Sequence, residues 1–541
     1  MRRTWGVAAL LLALGAGAAF YSILWKLYAG QVLDYGAAPF TIGWFEGTVY
    51  YWFGGFGLLA TVGLTLGLTL LFPNGFRIPG GSLAMIPLVV ALALAGKFFV
   101  LQRAPTSDEE NVYHFTAQLL SHGRLVLNAD LPPELLGPRW GWIQQGSSWA
   151  GIYPYGWPLL LAIGYLLRVP WLLTPLLAGL ALWFAGEIAR RAYGARVAAL
   201  TLIFLGTAPF FVLTAATDAA SPAAAAAVLA AVLCVMRYVD DDHEKWLWLC
   251  GTAGGVALLT KPLIAVALLA PWLAMLLSRR KLIPWAVPMA AAAILLFAIN
   301  ATVTGSAFGA SPFGFGQDAR AVGGAGVHTL SLGILNDAVN LLRLNHWLLG
   351  WPLSLLLVCC APWTRWTKLI FTGVTIHLAL ATASPAPGMT VTGPPDYFEA
   401  GCLLVILAAA ALDRLSRWPG VPALTVAILV VNLALFTPLQ VRSLRAMSNG
   451  SGLLSKTLHE RVTSPAVVFV QNVQPQYSPT ATIKSAVFFA PLNASVDDPV
   501  FLANSRGADQ DRAAWKKHFA NRRAYRYQVG ADWKPVLEEL R

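Results

Sequence analysis

Charged residues are scarce in this sequence. Asp, Glu, Lys and Arg make up 12% of the 541 residues, hydrophobic types make up 57%, and the mean hydropathy is +0.61. A chain with so little charge cannot cover the surface of ordinary soluble domains. The composition therefore excludes a set of water-soluble domains and indicates an integral membrane protein.

Acidic residues are the rarer charge type, with 26 Asp and Glu against 38 Lys and Arg and a formal net charge of +12. A basic chain can bind nucleic acid, but in a membrane protein an excess of Lys and Arg belongs to the loops that stay in the cytoplasm. We therefore expect no nucleic-acid partner.

Cysteine is scarce as well, and its spacing matches neither a disulfide framework nor a zinc site. All five cysteines fall inside hydrophobic stretches, at Cys234, Cys250, Cys359, Cys360 and Cys402. The N-terminal stretch begins like a signal peptide, but its apolar run continues to about residue 28. That length favours an uncleaved first membrane helix.

Long apolar stretches are abundant. Thirteen of them come close to the ~20 residues that a helix needs to cross a bilayer. They lie at 5–28, 50–72, 83–102, 170–189, 197–215, 220–238, 246–261, 262–278, 283–303, 346–362, 367–384, 397–415 and 420–438. The predicted fold class is an all-α polytopic membrane protein with about thirteen transmembrane helices.

The basic residues orient these spans. The turns "RRAYGAR", "SRRK", "TRWTK" and "DRLSR" fall on the same side as the N-terminal arginines, which marks that side as cytoplasmic. The pattern holds only if residues 156–167 lie along the outer surface instead of crossing. The loop 103–169 and the tail from about residue 440 are then extracytoplasmic, on the outer side of the cytoplasmic membrane.

Three regions follow from this threading. Residues 1–82 hold two N-terminal transmembrane helices, residues 83–438 form a transmembrane core with outer loops 103–169 and 304–345, and residues 439–541 form a soluble tail. The tail has β-like runs, "AVVFVQ", "AVFFA", "VFLAN" and "AYRYQV", around a polar helix, "DRAAWKKHFANRR", which predicts a small α/β domain. Its basic surplus favours contact with lipid phosphates or an anionic acceptor, or simply keeps the domain soluble.

Three consecutive acids, residues 108–110, follow the third predicted span. A Thr or Ser at 106–107 and a Gly at 123 predict a helix that begins at the acids. Two interpretations stay open. Acids in a first turn complement the helix dipole; at the rim of a membrane they can also act where a lipid head group meets a water-soluble reactant.

Helical spacing separates the acids. Glu109 shares a face with Tyr113 and Glu110 with His114, while Asp108 projects about 100° away from Glu109. The three carboxylates therefore cannot serve one atom. One of them can act as a base while a neighbour binds a metal ion or holds the base.

Aromatic residues mark the end of the same loop. Tyr153, Tyr155 and Trp157 lie in "GIYPYGWP". Such rings suit the head-group level of a membrane, and they also stack well on a sugar. The sequence leaves both roles open.

The order of these pieces resembles the glycosyltransferases of the C superfamily, GT-C, in the branch of protein mannosyltransferase and lipid A aminoarabinose transferase homologues (family 39-like). The pieces are "PTSDEENVYHFTAQLLSHGRL", "GIYPYGWPLLLAIGYL", "RRAYGAR", "LGTAPFFVLTAATDAASP" and "GGVALLTKPLIAVALL", between about residues 83 and 300. The resemblance implies a GT-C fold and a membrane enzyme that transfers a sugar from a polyprenyl-phosphate carrier to an acceptor on the outer face.

The resemblance also implies site residues. The family's acidic pair falls on Asp108 and Glu109, the following aromatic on Tyr113, the Lys of its "TKP" turn on Lys261, and a polar position at the outer end of a helix on Asp218.

Two motifs depart from the family pattern. Where the family has Tyr-Pro-Pro-Gly, this chain has Tyr153, Pro154, Tyr155 and Gly156. In the late outer loop, which contains "GPPDYFE" (residues 393–399), Asp396 takes the place of the family's Arg. The second departure puts the usual positive charge near that loop in doubt.

The chemistry has its own logic. A polyprenyl phosphate is a good leaving group, so the reaction needs a carboxylate to take the acceptor's proton and a cation to stabilise the departing phosphate. We expect Asp108 to be the base, giving inversion, and Lys261 to contact the phosphate; the alternative for Lys261 is a snorkelling lysine. Asp218 is a second carboxylate, a metal ligand or a helix N-cap, and Arg103 and His346 are further candidate substrate contacts.

A divalent metal ion is left open, and no other cofactor is expected. The acceptor can be a lipid, a polysaccharide or a protein. Two rival functions are a transporter or flippase of lipid-linked sugars and a scaffold whose tail recruits partners. A transporter would carry ionisable residues near the middle of its spans, whereas the candidate ions here cluster at the outer ends, which favours an enzyme.

Overall fold

The computed structural model describes residues 2–31, 42–72, 83–137, 142–277, 283–308, 330–383, 392–471, 491–529 and 534–541. These residues are mostly α-helical. Long apolar helices are expected in a membrane, because a helix satisfies its backbone N–H and C=O groups within the segment when no water is present.

The helices before the tail are joined mostly by short turns. In chain order they are α1 (Arg2–Gln31), α2 (Ile42–Leu71), α3 (Met85–Ala95), α4 (Asp108–Ser121), α5 (Pro133–Leu136), α6 (Gly156–Leu166), α7 (Pro170–Tyr193), α8 (Ala195–Thr207), α9 (Pro209–Ala215), α10 (Ser221–Asp241), α11 (Lys245–Thr260), α12 (Pro262–Leu277), α13 (Ile283–Thr304), α14 (Leu330–Trp347), α15 (Ser354–Cys359), α16 (Arg365–Ala381), α17 (Phe398–Leu415), α18 (Val421–Val431) and α19 (Thr437–Ser451). Helices α3 and α18 continue into π-helical turns at Gly96–Val100 and Asn432–Phe436, and a 3-10 turn at Pro395–Tyr397 leads into α17.

Among the described residues, six stretches of helix are long and apolar enough to cross a membrane: α1, α2, α7, α10, α13 and the continuous stretch of α18 and α19. The number becomes seven if α8 and α9, which are bent by 58° at their junction, form one broken span. Five further predicted spans coincide with helices that fall below this threshold, namely α3, α11, α12, α16 and α17. The total of thirteen stays a prediction.

The predicted span 346–362 is wrong as a single helix. Helix α14 ends at Trp347, and α15 covers only Ser354–Cys359. Between them Gly350 has a φ of +62°, a conformation that glycine adopts without steric cost, and Pro352 has no N–H to continue a helix. The same helix α14 fills the second part of the predicted outer loop 304–345; residues 309–329 of that loop lie outside the described residues.

Helix α6 is short, with 11 residues. It rises about 16 Å at 1.5 Å per residue, roughly half of the ~30 Å hydrocarbon core of a bilayer. It cannot cross a membrane alone, which agrees with the prediction that residues 156–167 do not form a span.

The loop that carries the acids has a compact fold. Helices α4, α5 and α6 surround a small antiparallel sheet of order β1-β3-β2, with β1 at Leu127–Asn128, β2 at Trp142–Gln145 and β3 at Ser148–Gly151. Strand β3 lies between the other two strands. Its last residue, Gly151, packs against Val112 and Thr116 of α4, and the chain then continues into α6.

The described part of the tail contains three of the four predicted strands and the predicted helix. Its elements are α20 (Leu453–Arg461), β4 (Ala466–Val470), β5 (Val500–Asn504), α21 (Ala508–His518), β6 (Arg523–Val529) and β7 (Pro535–Glu539). The sheet order is β5-β4-β6-β7, parallel except for the β6–β7 pair. The predicted run "AVFFA" lies outside the described residues.

The tail and the acid-bearing loop share one hydrophobic core. Phe115 of α4 and Trp149 of β3 belong to the same buried cluster as Phe501 of β5 and Phe519 after α21. The Asn504 side-chain amide also donates to the Gly137 carbonyl at 3.3 Å. The sheet of the tail is therefore packed directly against the loop 103–169.

Candidate active site

Helix α4 begins at the acids, as predicted. Ser107 is the N-cap, and its hydroxyl accepts a hydrogen bond from the Glu110 N–H. Asp108 is the first helical residue; its side chain lies outside the part of the chain that the structure describes. The helix ends at Ser121, two residues before Gly123, which has a φ of +70°.

Glu110 points into the protein. Its side chain is buried, and its carboxylate accepts hydrogen bonds from the backbone N–H and the hydroxyl of Thr106 and, at 3.2 Å, from the backbone N–H of Asp218. Burial and the charge of Asp218 raise the pKa of the Glu110 carboxyl to about 7. Glu110 thus ties the start of α4 to the turn between α9 and α10.

Asp218 is the centre of an ion network. Its carboxylate lies 2.5 Å from the Lys97 ammonium and 3.2 Å from Nε2 of His114. Burial acts to raise the pKa of Asp218, but Lys97 and His114 outweigh it and hold that pKa well below its usual range. The N-cap interpretation is wrong, because Ala220 occupies the N-cap of α10 and makes no side-chain cap.

Lys97 was not among the residues that sequence reasoning selected. It lies in the π-helical turn that ends α3, and its side chain is 2% exposed. The signal was present, because Lys97 interrupts the apolar run "LALAGKFFV". A charge in such a run is costly unless it has a partner.

A second group of side chains joins α4 to the late loop. Tyr113 is buried, and its ring centroid lies 5.4 Å from that of Tyr153. Burial, followed by the negative charges of Glu109 and Asp396 and by Tyr153, raises the pKa of the Tyr113 phenol well above its ordinary value. The predicted residues Glu109, Tyr113 and Tyr153 are therefore neighbours, and Asp396 is near enough to act on the Tyr113 phenol.

Lys261 holds the same late loop. Its ammonium donates to the Ser221 hydroxyl at 2.8 Å and to the Pro395 carbonyl at 3.0 Å, and it lies 3.2 Å from the fully buried carboxylate of Glu399. An ammonium has three N–H donors. Two of these donors make hydrogen bonds, and Glu399 forms an ion pair with the same ammonium, so a phosphate that binds Lys261 would compete with Glu399.

Residues 153–156 lie against the end of α11. A Cβ on Gly156 would lie 2.5 Å from the carbonyl carbon of Leu259 and 2.7 Å from the N of Thr260, so only glycine allows α6 to begin against the end of α11. Tyr155 is 2% exposed and packs in an apolar cluster with Val303. Tyr155 is thus placed in the core, next to the turn that carries Lys261.

Arg103 and His346 make contacts of other kinds. The exposed Arg103 has a φ of +60°, and its guanidinium lies 5.7 Å from the Phe98 ring centroid. His346 stacks on Tyr50 of α2 at 4.6 Å, and its Nδ1 lies 2.9 Å from the carbonyl oxygen of Leu342. The stacking of His346 on Tyr50 packs α14 against α2.

Metal ligation was left open by the sequence. Within the described residues, no group of three or more His, Cys, Asp or Glu side chains is arranged to hold a metal ion. Two of the carboxylates at the site, Asp218 and Glu399, form ion pairs with lysines.

Comparison with known proteins supports the fold. Residues 159–304 match the sequence model of the dolichyl-phosphate-mannose-protein mannosyltransferase family. No curated protein matches the sequence. The structure is similar to ArnT from Cupriavidus metallidurans bound to undecaprenyl phosphate, with a TM-score of 0.53 and 16% identity over 85% of this chain and 99% of that one. For ArnT in the apo state the TM-score is 0.51, with 16% identity over 85% and 98% of the two chains.

These matches agree with the resemblance seen in the sequence. The family match contains Asp218 and Lys261, and the structural match extends over most of the chain, including much of what lies on either side of residues 159–304. The chain thus has a fold similar to that of ArnT, and its residues 159–304 are similar to the dolichyl-phosphate-mannose-protein mannosyltransferase family.

Proposed function

We propose that this protein transfers a sugar from a polyprenyl-phosphate-linked donor to an acceptor at the outer face of the cytoplasmic membrane, with inversion at the sugar. The observation that carries the proposal is the meeting of two distant loops. Glu109, Tyr153 and Asp396 all lie within electrostatic reach of the Tyr113 phenol, and Lys261 binds the carbonyl of Pro395, the residue before Asp396. The similarity to ArnT, which has been seen with undecaprenyl phosphate, supports a polyprenyl phosphate as the carrier.

The reaction needs one proton transfer and one displacement. The hydroxyl oxygen of the acceptor attacks the anomeric carbon, and the bond from that carbon to the phosphate oxygen breaks with its electron pair. A carboxylate of the Asp108 and Glu109 pair takes the hydroxyl proton, and the polyprenyl phosphate leaves as an anion. Attack from the face opposite the phosphate gives inversion.

The described contacts support two different roles for the acids. Glu110 is buried and accepts hydrogen bonds from its own and a neighbouring segment. Glu109 is partly buried and lies on the face of Tyr113. The base therefore comes from residues 108 and 109, and Glu110 supports them.

Separate variants test this assignment. Purified protein in nanodiscs receives a synthetic polyprenyl-phosphate sugar, and release of polyprenyl phosphate is measured, since water can replace an unidentified acceptor. We expect Asp108→Asn or Glu109→Gln to lower the rate by roughly 100-fold or more, which is the usual contribution of a positioned base. The matched control is Glu134→Gln, an exposed acid in the same loop, which should keep the rate of the unaltered protein.

Two outcomes would overturn the proposal. Rates that survive both substitutions undiminished would remove the acidic pair from the mechanism. Movement of the lipid carrier across the bilayer with no release of its phosphate would favour a transporter of lipid-linked sugars.

A further inference from the structure

The contact between α3 and the α9–α10 turn is unusually close for two apolar segments. A Cβ on Gly96 would lie 2.9 Å from the Cβ of Ala216. The next residue, Lys97, sits in the π-helical turn, a feature that is frequent at functional sites. This approach lets the buried Lys97 ammonium reach Asp218 at 2.5 Å.

Asp218 in turn contacts α4 at two points. Its carboxylate lies 3.2 Å from His114, and its backbone N–H donates to Glu110 at 3.2 Å. Glu110 and His114 are four residues apart and therefore lie on one face of α4. Asp218, which is paired with Lys97, thus contacts a single face of this helix.

The contacts of Glu110 and His114 with Asp218 also determine where the neighbouring face of α4 points. Each step along an α-helix turns the side chain by about 100°. Glu109 directly precedes Glu110, and Tyr113 directly precedes His114. The direction in which Glu109 and Tyr113 point is therefore determined once Glu110 and His114 are bound to Asp218. Rotation of α4 would move Glu109 away from Tyr153 and Asp396.

We propose that Lys97 is a positioning residue, which acts through Asp218 to hold α4 in the rotation that aims its first-turn acids at the donor. The inference rests on the proposed sugar transfer. Lys97 needs no contact with substrate in this role. Its loss would leave the partly buried carboxylate of Asp218, which is 21% exposed, without its nearest cation, and an ion that is partly removed from water and loses its partner moves or rearranges its surroundings.

Kinetics of four variants test the role. We expect Lys97→Met to lower kcat for release of polyprenyl phosphate by roughly 100-fold, the effect of a misplacement of about 1 Å, with KM for the donor nearly unchanged. Lys97→Arg should recover part of that loss. Asp218→Asn should resemble Lys97→Met, and the double variant should be no slower than Asp218→Asn, because both changes break one chain of contacts.

A second measurement does not depend on activity. Hydrogen exchange of the α4 amides should be faster in Lys97→Met than in the unaltered protein, whereas exchange in α12, which has no part in the network, should not change. If Lys97→Met does not fold, Lys97→Arg and His114→Gln carry the test, and His114→Gln should lower kcat with KM nearly unchanged.

The possible failures are distinct. If the unaltered protein releases no polyprenyl phosphate, the proposed function fails, and the exchange of α4 still decides whether Lys97 holds that helix. If the protein is active and Lys97→Met keeps kcat, or if the effects of the two single substitutions add up in the double variant, Lys97 does not act through Asp218. Unchanged exchange in α4 would overturn the inference as well.

Discussion

Glu110 is a buried carboxylate whose pKa is raised to about 7. The ordinary value is 4.5, so between these two values the unfolded chain ionises this group while the folded protein keeps its proton. The folded state then binds more protons, and stability falls as the pH rises through this window. The slope is at most about 1.4 kcal/mol per pH unit, and it ends above pH 7.

This pH dependence can be measured on a matched pair. Glu110→Gln is neutral at every pH and should lose the slope. Apparent melting temperatures of both proteins in detergent, between about pH 5 and 8, give a difference in which other titrating groups cancel. The unaltered protein should lose stability relative to the variant as the pH rises to about 7. Parallel curves would show that Glu110 is ionised throughout.

Single residues divide into those that the sequence could identify and those that it could not. Helical spacing correctly paired Glu109 with Tyr113, because both belong to one short segment. Lys97 and Asp218 are 121 residues apart, so no local pattern connects them, although an isolated lysine in an apolar run signals a need for a partner. Lys261 was recognised, but its three contacts with Ser221, Pro395 and Glu399 required the fold.

Helix α6 depends on one residue where it meets α11. Gly156→Ala would place a Cβ within 3 Å of the backbone of Leu259 and Thr260, and this backbone cannot move aside as a flexible side chain could. We expect a loss of about 1–3 kcal/mol of stability, as for other overpacked sites.

The control for this substitution is Gly55→Ala in α2, where a Cβ would meet no atom within 4 Å. Alanine favours a helix over glycine by up to about 1 kcal/mol, so this variant should be neutral or slightly more stable. The measurement is the melting temperature of each variant in the same detergent. Equal shifts for the two substitutions would contradict the close approach at Gly156.

Elements were predictable where one segment determines its own structure. Apolar length located nearly every helix of the core, and short β-like runs of hydrophobic residues located β4, β5 and β6. The failure at 346–362 arose because hydropathy averaged over a Gly-Trp-Pro break that ends α14. Strand β7 was missed because Pro535–Glu539 is short and polar, and it forms by pairing with β6.

At the scale of the whole molecule, the loop and the tail cannot be considered separately. Their apolar residues form one buried cluster that includes Phe115 and Phe501. Burial of this kind contributes roughly 25 cal/mol per Å² of apolar surface removed from water. Helix α4 is therefore bound at two places: one face contacts Asp218, and Phe115 packs in the core that α4 shares with the sheet of the tail. Sequence reasoning treated the two as separate regions because their contacts join residues several hundred positions apart.

The shared core makes the tail a reporter for the side of the membrane on which the acids lie. Asp509 of α21 has a side chain that is 98% exposed, and His243, in the turn between α10 and α11, is exposed as well. In a cysteine-free background we expect a membrane-impermeant thiol reagent to modify Asp509→Cys in right-side-out vesicles. The same reagent should modify His243→Cys only in inverted vesicles.

The opposite pattern would have a direct consequence. A tail that reacts in inverted vesicles would place α4, packed against it, on the cytoplasmic side together with Glu109 and Asp396. The basic turns "RRAYGAR" and "SRRK" would then face outward, against the distribution that membrane insertion favours. Sugar transfer at the outer face would be excluded for this chain, whereas the ion network around Asp218 would stand, because it depends on the fold and not on its orientation.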